Sequence, residues 1–190
     1  MRRALLFLAL APAVLGVCAG ACSADAPTAP EDVIYQGIAT DEAWLEIADH
    51  PPVTDDAMAP RLTAPTTISS TADAPTFVWD GGAVASAWPR RAPRQTRFAW
   101  SELFGPGHAR AHSPPVNGAL YRLVFTIPGD PAPVRVLTGL TSYTPIAAIW
   151  DRTKVATGPL SVELVGAYLT EGRITEGPFR AAEPFSIPVE

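Results

Sequence analysis

The sequence predicts an all-β, sandwich-type domain, and three observations carry that reading. There are 21 prolines, and all but Pro12 follow residue 21, about twice the ~5% share of an average chain. Proline breaks helix interiors and central strands, so it belongs to turns and edges and leaves only short segments between. The second observation is the run Ala119 to Ile127, in which Ala119, Tyr121, Leu123, Phe125 and Ile127 alternate with other residues. That period of two is a strand with one face buried. Third, the same alternation returns in Leu160, Val162 and Leu164 and again in Phe185, Ile187 and Val189, which gives several short strands separated by turn residues.

Taken in order, Val33 to Ile38 is a candidate short strand. Thr40 then offers an N-cap, with Asp41 and Glu42 in the first turn, where the helix dipole favours negative charge. Ala43, Trp44, Ile47 and Ala48 form an apolar stripe at helical spacing, so Asp41 to Asp49 is the one predicted helix, ended by His50-Pro51-Pro52. Asp55 to Ala74 is rich in Pro, Thr, Ser and Asp and reads as a second linker or an irregular first strand. Pro75-Thr76-Phe77-Val78-Trp79-Asp80 is a compact strand closed by Gly81-Gly82. Ala83 to Trp100 is irregular, and Ser101 to Phe104 is a candidate helical turn. Asn117-Gly118 is a strong turn dipeptide ahead of the long strand. Gly129-Asp130-Pro131 turns that strand into its return, Val134 to Leu137.

Several of these segments resemble a fibronectin type III or immunoglobulin-like domain. The resemblance rests on Pro75 to Trp79 as an early strand with an inward Trp, on Tyr121-x-Leu123 and on the Thr-rich turn Thr141 to Pro145. Trp150, the Leu160-x-Val162 strand and a Glu176-Gly177-Pro178 turn before the last strand complete it. It implies an antiparallel β-sandwich over residues 60–190. One departure stands out: the strand Leu160 to Leu169 has no tyrosine near its start, where the family's tyrosine corner would sit.

The first residues carry an address. Arg2 and Arg3 precede an apolar run from Ala4 to Val17, and small residues follow, which is the pattern of a secretory signal peptide. The run falls short of the ~20 residues that a spanning helix needs. At its exit lie both cysteines of the chain, Cys18 and Cys22. Ala19-Gly20-Ala21-Cys22 resembles the lipobox of bacterial lipoproteins, in which small residues precede a cysteine that is acylated and becomes the mature N-terminus. Ala19 stands where Leu is usual. Leu15-Gly16-Val17-Cys18 has the Leu but puts bulky Val17 at the cleavage point, so Cys22 is the expected lipidation site. Lipidation at Cys18, or plain cleavage after Ala21 with a free Cys22, stays open as an alternative. The resemblance implies an exported protein, lipid-anchored in the bacterial envelope, and Ser23 after Cys22 implies the outer membrane. The expected layout is a signal peptide over 1–21 and a lipidated linker over 22–32. An N-terminal extension with the short helix then covers 33–59, and the sandwich covers 60–190.

Charge and composition narrow the function. Without Arg2 and Arg3, 12 basic residues face 19 acidic ones, a formal charge of −7, whereas a nucleic-acid partner calls for a basic face. There is no nucleophile elbow, no H-E-x-x-H, no Walker loop and no G-x-G-x-x-G, so the chain is expected to be non-catalytic and to need no cofactor. The expected function is a binding or structural module of the envelope, with a protein or glycan partner.

The alternative is a periplasmic copper or zinc protein using His108 and His112. Imidazole is the commonest metal ligand, but a strand would hold two rings at this spacing roughly 13 Å apart, and Pro106, Pro114 and Pro115 make the segment a loop. Arg110 between them opposes a cation, and carboxylates such as Glu102 would have to complete the shell. Arg90, Arg91, Arg94 and Arg97 form a candidate anion patch for lipid head groups or acidic glycans, or else a solvated loop. Trp79 and Trp150 are expected in the core. Trp44, Trp88 and Trp100 lie outside the regular strands, and any of them left exposed could form a stacking platform for a sugar.

Overall fold

Ten strands and three short helices make up the chain's described part, which in the computed structural model comprises residues 30, 32–86 and 114–190. They run β1 (Val33–Gln36), α1 (Asp41–Asp49), β2 (Val53–Thr54), β3 (Arg61–Ala64), β4 (Phe77–Asp80), α2 (Gly82–Ser86) and β5 (Gly118–Thr126). β6 (Val134–Thr138), β7 (Ser142–Tyr143), α3 (Ala147–Lys154), β8 (Leu160–Thr170), β9 (Arg173–Arg180) and β10 (Phe185–Ile187) follow. The fold is mostly β, in two sheets with few helices. The larger sheet has seven strands in the order β1-β6-β5-β8-β9-β2, with β10 paired to β8. The smaller has the order β3-β4-β7.

β8 is the spine of the larger sheet. One side of it pairs antiparallel with β5 from Thr126↔Ser161 to Gly118↔Leu169. The other side is shared by β10 over its first residues and β9 over its last. A strand enclosed on both sides and both faces reads as a continuous apolar run, and Val165 to Leu169 are all buried.

Alternation sorts the side chains between two faces. Tyr121, Leu123 and Phe125 of β5, Val136 of β6 and Val162 and Leu164 of β8 point inward to the smaller sheet, which returns Phe77, Trp79 and Tyr143. The aromatic contacts are edge-on: Phe77 meets Phe125 with ring centroids 4.9 Å apart, and Trp79 meets Tyr121 at 5.7 Å. Such pairs add about 0.5–1.5 kcal/mol each beyond the area they bury. Ile149 and Trp150 of α3 close one end of this core, and the Trp150 indole N–H donates to the Ala72 carbonyl at 3.1 Å. Arg152 ties α3 to the β5–β6 turn through Asp130, 2.6 Å away. Val84 of α2 packs over Gly166, where an added β-carbon would stand only 3.0 Å from its methyl group.

The outer face of the larger sheet holds a second core. Trp44, Ala43 and Ile47 of α1 lie on Leu120, Leu137, Ala167 and Leu169. The helix spans the segment read from sequence, and the Ala43 N–H donates to the Thr40 hydroxyl as its cap.

The structure adds α2 and α3 to the one helix predicted, and three features of the strands also differ from the sequence expectation. The sheet is not purely antiparallel, because β1 pairs parallel with β6 and β2 parallel with β9. α1 crosses the outer face between those two edges, so the chain reaches the far edge without a tight hairpin. Residues 33–54 thus supply both edges of the larger sheet. The Glu176-Gly177-Pro178 turn does not form: all three residues lie within β9. Gly177 absorbs the irregularity at φ +85, a conformation that L side chains rarely adopt, and the β8–β9 register shifts beside it. The Asn117-Gly118 dipeptide is not a hairpin turn either, since Gly118 opens β5. The segment Ser101 to Phe104 lies outside the described residues.

Three outcomes follow. Phe125→Ala, which removes a ring only 3% exposed, is expected to cost about 3–5 kcal/mol in a urea titration. Val155→Ala, at a side chain 76% exposed, should change stability by less than about 0.5 kcal/mol. Asp130 is held below the usual carboxylate range by the hydrogen bond from Arg152, with the Ala132 N–H adding to it. A depressed folded pKa adds stability that is complete above the unfolded value and is lost as pH falls through the folded one. The Asp130→Asn chain should therefore show a shallower loss of thermal stability on acidification than the parent, as read by melting curves across the acid range.

Candidate functional site

A concavity that joins several segments of the chain lies along one side of α1. It is a groove of about 540 Å³, floored by Ala43 and Val116 with Leu45 along one side and Pro114 and Pro115 opposite. Three pieces of chain distant in sequence meet there: the helix, the segment entering β5, and the turn between β8 and β9. A site that depends on three such segments needs bracing, and specific bonds supply it. The Asn117 side-chain carbonyl accepts from the Glu171 N–H at 2.8 Å, and its amide donates to the Pro115 carbonyl. The Gly172 N–H donates to the Val116 carbonyl at 2.9 Å. Glu46 of α1 reaches the same turn, accepting from the Ile174 N–H and pairing with Arg173 at 2.9 Å.

Glu171 sits at φ +52 and Gly172 at +76, the two positive values of a type I′ hairpin turn. Asn or Asp usually fills the first position, and a glutamate there is strained. The turn projects Glu171 beside the groove with Glu42 and Asp49 across it; all three carboxylate residues are exposed. Arg173 is the one cation among the lining residues, and it is engaged by Glu46. The groove therefore offers an acidic rim over an apolar floor, suited to a ligand that brings cations or N–H and O–H donors together with apolar carbon. Its volume lies within the ~300–1,000 Å³ usual for binding sites.

The remaining outer face, beyond the cover of α1, carries arginines that are each occupied. Arg122 pairs with Glu163 at 3.3 Å and lies 6.0 Å from the centre of the Trp44 ring. Arg135 pairs with Asp32 at 2.6 Å, and Arg180 donates to the Thr54 hydroxyl.

Most sequence-predicted sites fall elsewhere. Cys18, Cys22, Arg90, Arg91, Arg94, Arg97, His108, His112, Trp88, Trp100 and Glu102 lie outside the described residues. The third histidine, His50, caps α1 by donating from Nδ1 to the Glu46 carbonyl at 2.7 Å. Among the described residues no group of three or more His, Cys, Asp or Glu side chains is placed to hold a metal, and no helix is long and apolar enough to cross a membrane. Trp44 is not an exposed stacking platform, because it is buried beneath α1 at 5% exposure; its helical stripe turns it onto the sheet. Trp79 and Trp150 are core residues.

The chain matches no family model, no curated protein and no solved structure. The groove itself was hidden from sequence reasoning because its residues have no motif spacing; only the N-cap and acidic first turn of α1 signalled one wall of it.

Glu46 is the brace to test. Its carboxyl is 12% exposed, so Glu46→Ala leaves the Ile174 N–H without its acceptor and should cost about 1–3 kcal/mol. Glu46→Gln keeps an acceptor and gives up only a pair to the exposed Arg173, and should cost less than about 1 kcal/mol. Amide exchange at Ile174 and Gly172 should speed up in the alanine variant alone.

Proposed function

We propose that the chain is a non-catalytic lipoprotein of the bacterial envelope, tethered at Cys22, whose β-rich domain is a binding module with the α1 groove as its site. The observation that carries the binding reading is the groove: three distant segments braced by Asn117 and Glu46 around a concavity lined by exposed carboxylates and apolar carbon. Those are groups for holding a partner, and a protein or glycan surface fits an open site of this kind better than a small enclosed molecule. The tether reading is supported by the signal-like first 21 residues and by small residues directly before Cys22. A linker of the composition Ser-Ala-Asp-Ala-Pro-Thr-Ala-Pro spaces the domain from the surface. Outer-membrane placement is proposed from Ser23.

The finer fold reading belongs to the same proposal. Two sheets stacked face to face, with Trp79 inward and antiparallel central pairs, support a sandwich of the immunoglobulin or fibronectin type. The parallel edges β1 and β2 count against that type.

Intact mass of the protein extracted from its native membrane should equal residues 22–190 plus acyl chains, and Cys22→Ser should abolish that mass. A soluble, unacylated product in the parent would remove the tether from the account. Separately, reversal of Glu42, Asp49 and Glu171 to lysine should lower the recovery of the specific envelope partner roughly tenfold or more in a pull-down, the weight of about 1.4 kcal/mol or more, with melting temperature little changed. Equal recovery would move the site away from the groove.

A further inference from the structure

We infer that the chain self-associates through β1, two copies joining their larger sheets edge to edge in an antiparallel, two-fold pairing. β1 is an edge strand, bonded to β6 alone among the described residues. The direction of its free groups follows from one bond. The Gly139 N–H donates to the Gln36 carbonyl at 3.3 Å, so Gln36 faces β6. In a parallel pair each residue sends its N–H and C=O to the same side and alternate residues face opposite sides. Ile34 therefore also faces β6, while Val33 and Tyr35 turn two donors and two acceptors outward.

Natural sheets guard such edges with charge, proline, bulges or very short strands. The other edges of this protein are guarded. β2 has two residues between Pro51-Pro52 and Asp55-Asp56, and β10 lies between Pro184 and Pro188. β3 carries Arg61 and ends at Pro65, β7 has two residues and is followed by Pro145, and the open part of β9 carries Glu176 and Pro178. β1 has none of these devices. From Val33 to Thr40 there is no charge and no proline, its four residues are all half-buried, and the nearest charge, Asp32, is engaged by Arg135. Exposed Ile38 and Leu140 extend this uncharged margin beyond the strand.

A second copy is the occupant this edge fits because the strand complements itself. With a two-fold axis between the Ile34 residues, Val33 lies opposite the partner's Tyr35 and Tyr35 opposite the partner's Val33. Each is a hydrogen-bonded pair, so four main-chain bonds form. β-branched and aromatic residues meet across them, a favourable combination in antiparallel sheets. The two Ile34 residues then face one another as a non-hydrogen-bonded pair, the position where Cβ atoms come closest. This arrangement closes as a dimer and leaves no repeating edge for a fibre.

The test uses the full chain with Cys18 and Cys22 both changed to serine, so that any cross-link passes through an introduced cysteine. That background also lacks the proposed lipid site, so failure of the tether reading would not affect the result. Under mild oxidation Ile34→Cys should give a disulfide-linked dimer, since facing Cβ atoms in such a pair satisfy disulfide geometry. Val53→Cys, on the opposite edge, should not. Adding Val33→Pro removes an outward donor from each copy without touching the β6 ladder, and should slow the Ile34→Cys cross-link roughly tenfold. Melting curves establish that each variant is folded. Cross-linking of Ile34→Cys no faster than Val53→Cys would overturn the inference, as would a rate indifferent to Val33→Pro. Protection of the Val33 and Tyr35 amides from exchange in a monomeric chain would also overturn it, since the edge would then be covered from within.

Discussion

Everything in this fold hangs on β8, eleven residues long, paired along both edges and buried from Leu164 to Leu169. Its ladder with β5 fixes which residues of both strands look inward, and a one-residue slip would send Tyr121, Leu123 and Phe125 to the wrong face. Its other edge accommodates two strands in succession, β10 and then β9. The last segment of the chain and the hairpin beside α1 are therefore placed by the same strand. Phe77, Trp79 and Tyr143 then find the inner face already set, and the smaller sheet docks as an aromatic layer across it.

The outer face shows how a site grows out of packing. A sheet face carrying Leu120, Leu137, Ala167 and Leu169 needs a cover, and α1 supplies it with Trp44 at the centre. A nine-residue helix cannot cover the whole face. The uncovered part is polar and self-paired through Arg122, Arg135 and their carboxylates, and along one side of α1 a groove remains between the helix and the turns that cap β5 and β8. Asn117 and Glu46 hold those turns to one another and to the helix. The strained Glu171 belongs to that arrangement, since its N–H is the one that Asn117 captures.

Sequence reasoning reached the elements with strong periodicity. β5 alternates through nine residues, and α1 has a cap, an acidic first turn and an apolar stripe, so both were legible to within a residue. β9 was not, because Arg173 to Arg180 interleaves charge, glycine and proline and looks like a turn. Only its pairing to β8, with a shifted register at Gly177, makes it a strand. The β8–β9 hairpin was hidden for a related reason: Glu-Gly lacks the Asn or Asp that normally announces a type I′ turn. α3 was missed because Ala147 to Lys154 has no side-chain cap and follows directly on a proline-containing turn. The parallel edges were beyond local reading altogether, since strand order is decided by where α1 carries the chain. The groove inherits all of these gaps: two of its three walls are turns whose meaning is tertiary.

The most direct measurement is amide hydrogen exchange on the protein in unfractionated extract of its source cell, compared with the same protein after purification. The account predicts that the amides of α1, of Val116 and Asn117 and of residues 171–174 exchange more slowly in the extract, where a partner lies in the groove, while the amides of β8 are equally protected in both. Identical exchange at the groove in the two states, or a difference confined to some other surface, would contradict the assignment of this groove as the binding site.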